Sequence, residues 1–289
     1  MGQVKIVTDT TCDLPQDIIK QYDIRLVPTT VTIGDKVYKD TFELSATQLY
    51  QALKTSADRP VTAPPGRKDF SDVYTTLSKE TDTVLSLHVS AKFSPTPELA
   101  LNMARFAMST AQKQGNNFDI TVVDSLSTCI GLGMIVIEAA RLAQAGKGKN
   151  EILAHITPVI NKMKSLFMVD DISYLEKSGR AGRAQAIIGS LFNVKPIFSI
   201  EGGETSVKGR PMGGGNALDT MIKLMDEAIP FGGTIKLGVA HAMAPDKMAA
   251  IIPRIKEKYT CTEIYETIIG SSVGAIMGPG SFGFVYYLA

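Results

Sequence analysis

Hydroxyl side chains gather where the strands of this chain are expected to end. The run 4–9 reads as a strand that leads into Asp9-Thr10-Thr11, the run 83–89 leads into Ser90, Ser94 and Thr96, and 119–124 delivers Ser125, Ser127 and Thr128. Thr62, in a Pro-rich stretch, can add a fourth source. Hydroxyls and the free N–H groups of helix N-termini hold an anion, but they cannot do acid–base work without a titratable neighbour. Each Ser or Thr taken singly also suits the cap of the helix it precedes, and only their collection at one sheet edge points to a ligand. Asp9 and Asp124 end their strands and can be read as paired carboxylates, or as caps and turn acceptors. His88 lies inside a strand pattern and His155 on a helix, and both read as structural. There is no G-x-x-x-x-G-K-[ST] loop for a nucleotide. The G-x-G at 131–133 falls inside a helical pattern, where close helix packing explains it. No His pair stands at i,i+4 and the three Cys lack ligand spacing, so neither a catalytic residue nor a metal is expected.

Positive charge concentrates in "EKSGRAGR" (176–183), where Lys177, Arg180 and Arg183 sit among two glycines, with Lys208 and Arg210 in a second Gly-rich segment. Cations on bent chain suit a phosphate or an acidic partner surface, or simply a solvated loop. No aromatic residues interleave with them as stacking platforms, which argues against RNA. Over 289 residues, 30 Lys+Arg stand against 29 Asp+Glu, so no global field would hold nucleic acid or an anionic membrane. The N-terminus lacks a signal-peptide core, no apolar run of roughly 18 residues follows, and scattered unpaired Cys fit a reducing compartment; a cytoplasmic location is expected.

The elements that must position these groups alternate. Strands at 4–9, 83–89 and 119–125 are separated by helices near 15–22, 67–79 and 98–114, the last with Leu99, Met103, Phe106 and Ala107 on one stripe, and by a helix at 126–145 ended by Gly146. Such alternation implies a Rossmann-like parallel sheet covered on both faces. The stretch 55–70 packs three Pro and a Gly and is expected to be irregular, and Ser45 caps the helix before it. After a helix at about 149–164 the punctuation changes. Strands at 167–172, 195–200, 234–242, 261–268 and 282–287, a Gly-rich turn region at 202–215 and helices near 215–228 and 246–258 predict a mixed sheet. The expectation is therefore an α/β protein of two domains, 1–160 with the parallel sheet and 161–289 with the mixed one. Twelve Met and 11 Phe with no Trp suit either core or an adaptable apolar cavity.

Several strings then occur in a characteristic order: "VTDTTCDLP" (7–15), "PVTAPPGRKDF" (60–70), "SAKFSPTPELA" (90–100), "VVDSLSTCIGLG" (122–133), "ISYLEKSGRAGRAQAIIGSLFNVKPIFSI" (172–200), "VAHAMAPDK" (239–247) and "VGAIMGPGSFGFVYY" (273–287). In these the chain resembles the DegV family over essentially its whole length. The resemblance implies one long-chain fatty acid bound between the two domains, no cofactor, and presentation of the acid to an ATP-dependent fatty acid kinase subunit. It implies carboxylate binding by the positions matching Thr62 and Ser94, and of the strand-end hydroxyls read above, Thr10, Ser90, Thr96 and Ser125 are expected to support them. It further implies a cleft loop at Gly278-Pro279-Gly280 and a kinase surface at Arg180 and Arg210, to which Lys177 and Arg183 add charge. Two departures stand out. Pro95 and Pro97 replace residues that are commonly Gly and Tyr, and Ile276-Met277 occupy a place where a His-Thr pair is frequent, removing a polar group near the head-group. The competing reading of the same hydroxyl-rich cleft is a small-molecule acyl or phosphoryl transfer enzyme, which would need a base or metal that the sequence does not display.

Overall fold

The computed structural model describes residues 3–55, 59–191, 195–211 and 216–289. In chain order the first half carries β1 (Lys5–Asp9), α1 (Gln16–Gln21), β2 (Arg25–Val27), β3 (Thr30–Ile33), β4 (Lys36–Lys39), α2 (Ala46–Thr55), β5 (Val61–Ala63), α3 (Arg67–Leu77), β6 (Thr83–His88), α4 (Thr96–Lys113), β7 (Asp119–Asp124), α5 (Cys129–Gln144) and α6 (Lys149–Lys162). The second half carries β8 (Lys164–Met168), α7 (Ile172–Ser178), a 3-10 segment at Gly182–Leu191, β9 (Ile197–Glu201), β10 (Glu204–Gly209), α8 (Ala217–Ala228), β11 (Thr234–His241), α9 (Pro245–Lys256), β12 (Thr260–Ile268), α10 (Ser271–Met277) and β13 (Phe282–Leu288).

The apolar runs of the first half pair side by side in the order β2-β1-β6-β7, all parallel. β6 is buried from Val84 to His88, as a strand covered on both faces must be. The second half forms a six-stranded sheet, β10-β9-β8-β13-β11-β12, in which only β11 and β12 run parallel. The fold is thus mixed α/β, with a parallel sheet and a mixed sheet. The helix α5 lies against both: it contacts β1 and β6 on one side and β11, β12 and β13 on the other, which is why Ile130 through Ala140 are all buried. Two glycines make that approach possible. A Cβ on Gly133 would stand 2.7 Å from the Cys12 carbonyl oxygen, and one on Gly238 would stand 2.7 Å from the Met134 sulfur.

Four details depart from the sequence reading. The Pro-rich stretch is not wholly irregular: Val61–Ala63 pairs with β3 in a small antiparallel sheet, β4-β3-β5, because the prolines flank the strand and leave its N–H groups free to pair. The helix expected from 126 starts at Cys129, since Leu126 and Cys129 take positive φ of 50° and 53° and the Asp124 carboxylate captures the Leu126 N–H. Much of the Gly-rich region is the strand β10, folded on β9 through Gly202-Gly203; its end at Met212–Gly215 lies outside the described residues. Finally, α4 buries Ala100, Ala104 and Ala111, small enough to seat the helix closely, while Phe106 is 62% exposed because it falls on the far side of the helix.

Candidate functional site

The chain leaves β1 toward β2 on one side and reaches β6 on the other, so the sheet order reverses between β1 and β6. Outside the carboxyl ends of two such strands the connecting loops separate and leave a crevice. A cavity opens there, with an empty volume of about 1020 Å³ including its mouth. Thr11 follows β1; Val89, Phe93 and Ser94 follow β6; Thr62, Ala63 and Pro64 come from β5 and the loop after it. The mixed sheet closes the other side with Leu166, Phe167, Ile200, Ala240, Phe284 and Val285, α5 contributes Ile130, and α10 contributes Ser272, Val273, Ile276 and Met277. The walls are mostly apolar and the polar groups are a few hydroxyls and the Arg180 side chain, the chemistry of a site for a mostly apolar molecule with one polar end.

Of the residues singled out in the sequence, Thr62 and Ser94 both line this cavity. Ser94 shares a 2.8 Å hydrogen bond with Thr96 Oγ1 and accepts one from the Thr96 N–H at 3.3 Å. Thr96 and Thr10 are buried one step behind the wall; Thr10 Oγ1 lies 2.8 Å from Thr29 Oγ1 and accepts from the Thr29 N–H. Ser90 and Ser125 serve the backbone instead: Ser90 donates to the Gly203 carbonyl at 2.7 Å, and Ser125 donates to the Ser127 carbonyl at 3.2 Å. Gly278-Pro279-Gly280 is the turn after α10, with positive φ of 72° and 80° at its glycines. Gly278 lies against the Tyr174 ring, where a Cβ would be 2.6 Å from the nearest carbon. The turn itself stays outside the cavity lining, next to Ile276 and Met277, which are in it.

The cations do not form one uncompensated patch. Arg180 is half-buried and is the single charged residue among the described residues that line the cavity; its guanidinium donates to the carbonyls of Phe93 at 3.4 Å and Ser178 at 2.5 Å. Arg183 pairs with Glu204 at 2.7 Å and Lys208 pairs with Glu201. Lys177 and Arg210 are exposed.

Asp9 and Asp124 are not a catalytic pair. Asp9 is wholly buried and accepts from His88 Nδ1 at 3.0 Å, the Val89 N–H at 3.0 Å, and the Thr11 N–H and hydroxyl at 3.1 and 2.5 Å. Burial alone would raise its carboxyl, but the His88 contact and these donors hold it below the usual range. His88 Nε2 in turn shares a 2.7 Å hydrogen bond with Ser86, which meets Tyr74 at 2.8 Å, so this buried row braces the sheet and orients Thr11. Asp124 accepts from the Ala91 and Leu126 N–H groups, a turn acceptor. His155 is a surface partner of Glu138 at 3.1 Å.

Sequence reasoning missed Thr29, Ser272 and Asp40. Thr29 Oγ1 lies 2.6 Å from Ser272 Oγ across 243 residues, and the buried Asp40 carboxylate accepts from Thr29 and from Ser271 and the Ser272 N–H of α10. The pair Ser271-Ser272 after Gly270 was the available signal, but nothing local tells which strand it meets. Among the described residues no three His, Cys, Asp or Glu side chains are grouped to hold a metal, and no helix is long and apolar enough to cross a membrane.

A family model described as "Uncharacterised protein, DegV family" matches residues 3–289. A DegV domain-containing protein of Caldanaerobacter subterraneus is 31% identical over 284 residues, covering 98% of each chain. A structure described as showing fatty acid binding of a DegV family protein from Thermus thermophilus superposes with a TM-score of 0.90 at 30% identity, over 99% of this chain and 100% of that one. The structure of DegV, a fatty acid binding protein from Bacillus subtilis, gives 0.87 at 27% identity with all of both chains covered.

Proposed function

Because this chain belongs to the DegV family, we propose that it binds one long-chain fatty acid, with the carboxylate at Thr62 and Ser94 and the acyl chain in the apolar cavity. The observation that carries this reading is a cavity of mostly apolar walls whose polar groups are hydroxyls and Arg180, together with relatives described as fatty acid binding at 27% and 30% identity. A sixteen-carbon acid has about 14 methylenes; at about 0.8 kcal/mol each their transfer is worth roughly 11 kcal/mol gross, enough to offset ordering of the chain. In this reading the protein is a carrier and not a catalyst. It divides into 1–160 and 161–289 with the ligand between them, which is supported by the parallel-sheet strands all preceding Ser125 and the mixed-sheet strands all following Lys162.

The finer reading is presentation of the bound acid to an ATP-dependent kinase subunit in the cytoplasm. Exposed Lys177 and Arg210 support a docking role, whereas Arg180 reaches the cavity and Arg183 is already paired. A Lys177→Glu, Arg210→Glu variant is expected to keep its lipid and lose acyl phosphate formation with the cognate kinase, ATP and magnesium. The carrier reading itself is tested by native mass spectrometry of protein purified from cells, followed by lipid extraction. One fatty acid per chain is expected, and protein that neither carries nor saturably takes up palmitate or oleate refutes it.

A further inference from the structure

The hydroxyls at the cavity wall are not equally free. Thr11 gives its proton to the buried Asp9 carboxylate, and Thr205 gives its own to the Arg180 carbonyl at 2.9 Å. Ser272 differs. It is buried in the first turn of α10, and among the described residues its hydroxyl meets a single partner, Thr29 Oγ1 at 2.6 Å, while its N–H donates to Asp40 at 3.3 Å. Of the four α10 residues that line the cavity, Val273, Ile276 and Met277 are apolar and Ser272 carries the hydroxyl. Sheet register puts that hydroxyl near Thr62. Thr62 pairs with Val31, and a 2.9 Å bond from the Asp40 N–H to the Thr29 carbonyl carries the β3–β4 ladder on to Thr29. Thr29 therefore falls two residues from Val31 on the face that Thr62 shares, the two threonine Cβ atoms being about 7–8 Å apart. α10 packs against both β3 and β5. Hydroxyls so spaced can each give a hydrogen bond of about 2.7 Å to one of the two oxygens of a single carboxylate.

We propose that Ser272 is a third donor to the ligand carboxylate, backed by a chain of hydroxyls that runs from Thr10 through Thr29. The inference rests on the fatty-acid reading above. The order of donors is fixed at one end: Thr10 Oγ1 accepts the Thr29 N–H at 3.1 Å, which turns its own proton to Thr29 Oγ1 at 2.8 Å. Thr29 then has one proton and two acceptors, Asp40 Oδ2 at 3.3 Å and Ser272 Oγ at 2.6 Å. Without an anion beside it, the Asp40 charge draws that proton and Ser272 donates back to Thr29. An anion in the cavity reverses the last two links: Thr29 donates to Ser272 and Ser272 donates to the anion, each bond polarising the next. Asp40 keeps the Ser271 hydroxyl and the Ser272 N–H. Gly270-Ser271-Ser272-Val273-Gly274 also has the G-x-S-x-G spacing of a serine nucleophile, between β12 and α10. No imidazole meets Ser272 among the described residues, so its hydroxyl lacks the base that would make it attack.

The test titrates the delipidated parent, Ser272→Ala, Thr62→Val and the double variant with laurate and with methyl laurate, at one pH. Ser272→Ala keeps the N–H to Asp40 and removes one hydroxyl. It is expected to weaken laurate about 10-fold or more, because the lost bond went to a charged acceptor, and to weaken the neutral ester far less, so that the preference for the acid over its ester falls about fivefold or more. A merely structural loss would weaken both ligands alike. Combined with Thr62→Val, the loss for laurate is expected to be less than the product of the single losses, since both hydroxyls address one carboxylate. An acid-over-ester preference unchanged by Ser272→Ala, or losses that multiply in full, overturns this inference while laurate binding by the parent leaves the fatty-acid reading intact. Covalent labelling of Ser272 by a fluorophosphonate overturns it too, because the hydroxyl would then be a nucleophile. A parent that takes up no fatty acid overturns both readings.

Discussion

Removing the two hydroxyls at the cavity has unequal consequences that the structure lets one work out in advance. Ser94 Oγ already receives the Thr96 N–H and lies 2.8 Å from Thr96 Oγ1, so with both Thr96 groups donating to it, its own proton is left for a ligand carboxylate. A hydrogen bond to a charged acceptor is worth about 1.5–3 kcal/mol, which places Ser94→Ala roughly 10- to 150-fold weaker for palmitate. The same change strands the Thr96 hydroxyl, which is fully buried, and about 1 kcal/mol of folding stability should go with it. Thr62 is half-buried on β5 and its side chain has no hydrogen bond among the described residues, so Thr62→Val keeps shape and breaks no internal contact. Its cost should be confined to affinity, about tenfold, with stability changed by less than about 0.5 kcal/mol. Because both address one carboxylate, the double variant should lose less than the sum. Isothermal titration at pH 7.4 with delipidated protein measures the affinities, and urea unfolding measures stability. A double variant that binds palmitate as tightly as the parent would show that the head-group lies elsewhere.

Asp13 has neither carboxyl oxygen in a hydrogen bond of normal geometry, and burial pushes its carboxyl well above the usual carboxylate range. Its folded pKa exceeds the unfolded one, so stability falls as pH rises between them; Asp13→Asn should be more stable than the parent by about 1–2 kcal/mol at pH 7, with the gap closing below pH ~4 in urea unfolding. Glu263 is held down to about 2, chiefly by the Arg141 guanidinium at 2.9 and 2.7 Å. Its depressed pKa contributes stability that is present above about pH 4.5 and lost toward pH 2, so Glu263→Gln should flatten the acid limb of a stability profile across that window. Gly133→Ala puts a methyl group 2.7 Å from the Cys12 carbonyl oxygen and 2.8 Å from Leu14, and should cost about 1–3 kcal/mol by thermal melting, because backbone and a buried side chain are what must yield.

The parts of this protein legible from its sequence are those set by neighbours a few residues away. Period-two and period-3.6 runs announce β1, β6, β7 and α5, since burial of one face dictates where apolar side chains recur, and the hydroxyls after those strands follow from the chain's need to turn there. The Pro-rich stretch around Thr62 and the Gly-rich stretch after Ile200 misled for a complementary reason: Pro and Gly punctuate locally, while whether a strand forms between them depends on β3 and β9 offering an edge. Tertiary structure alone brought Thr29 to Ser272 across 243 residues and turned Arg180 into a cavity residue instead of a free surface cation. Each of those is a contact between elements distant in the chain, chosen by which packing buries the most apolar surface while leaving the fewest polar groups unpaired. That choice is a property of the whole chain, and no window of ten residues contains it.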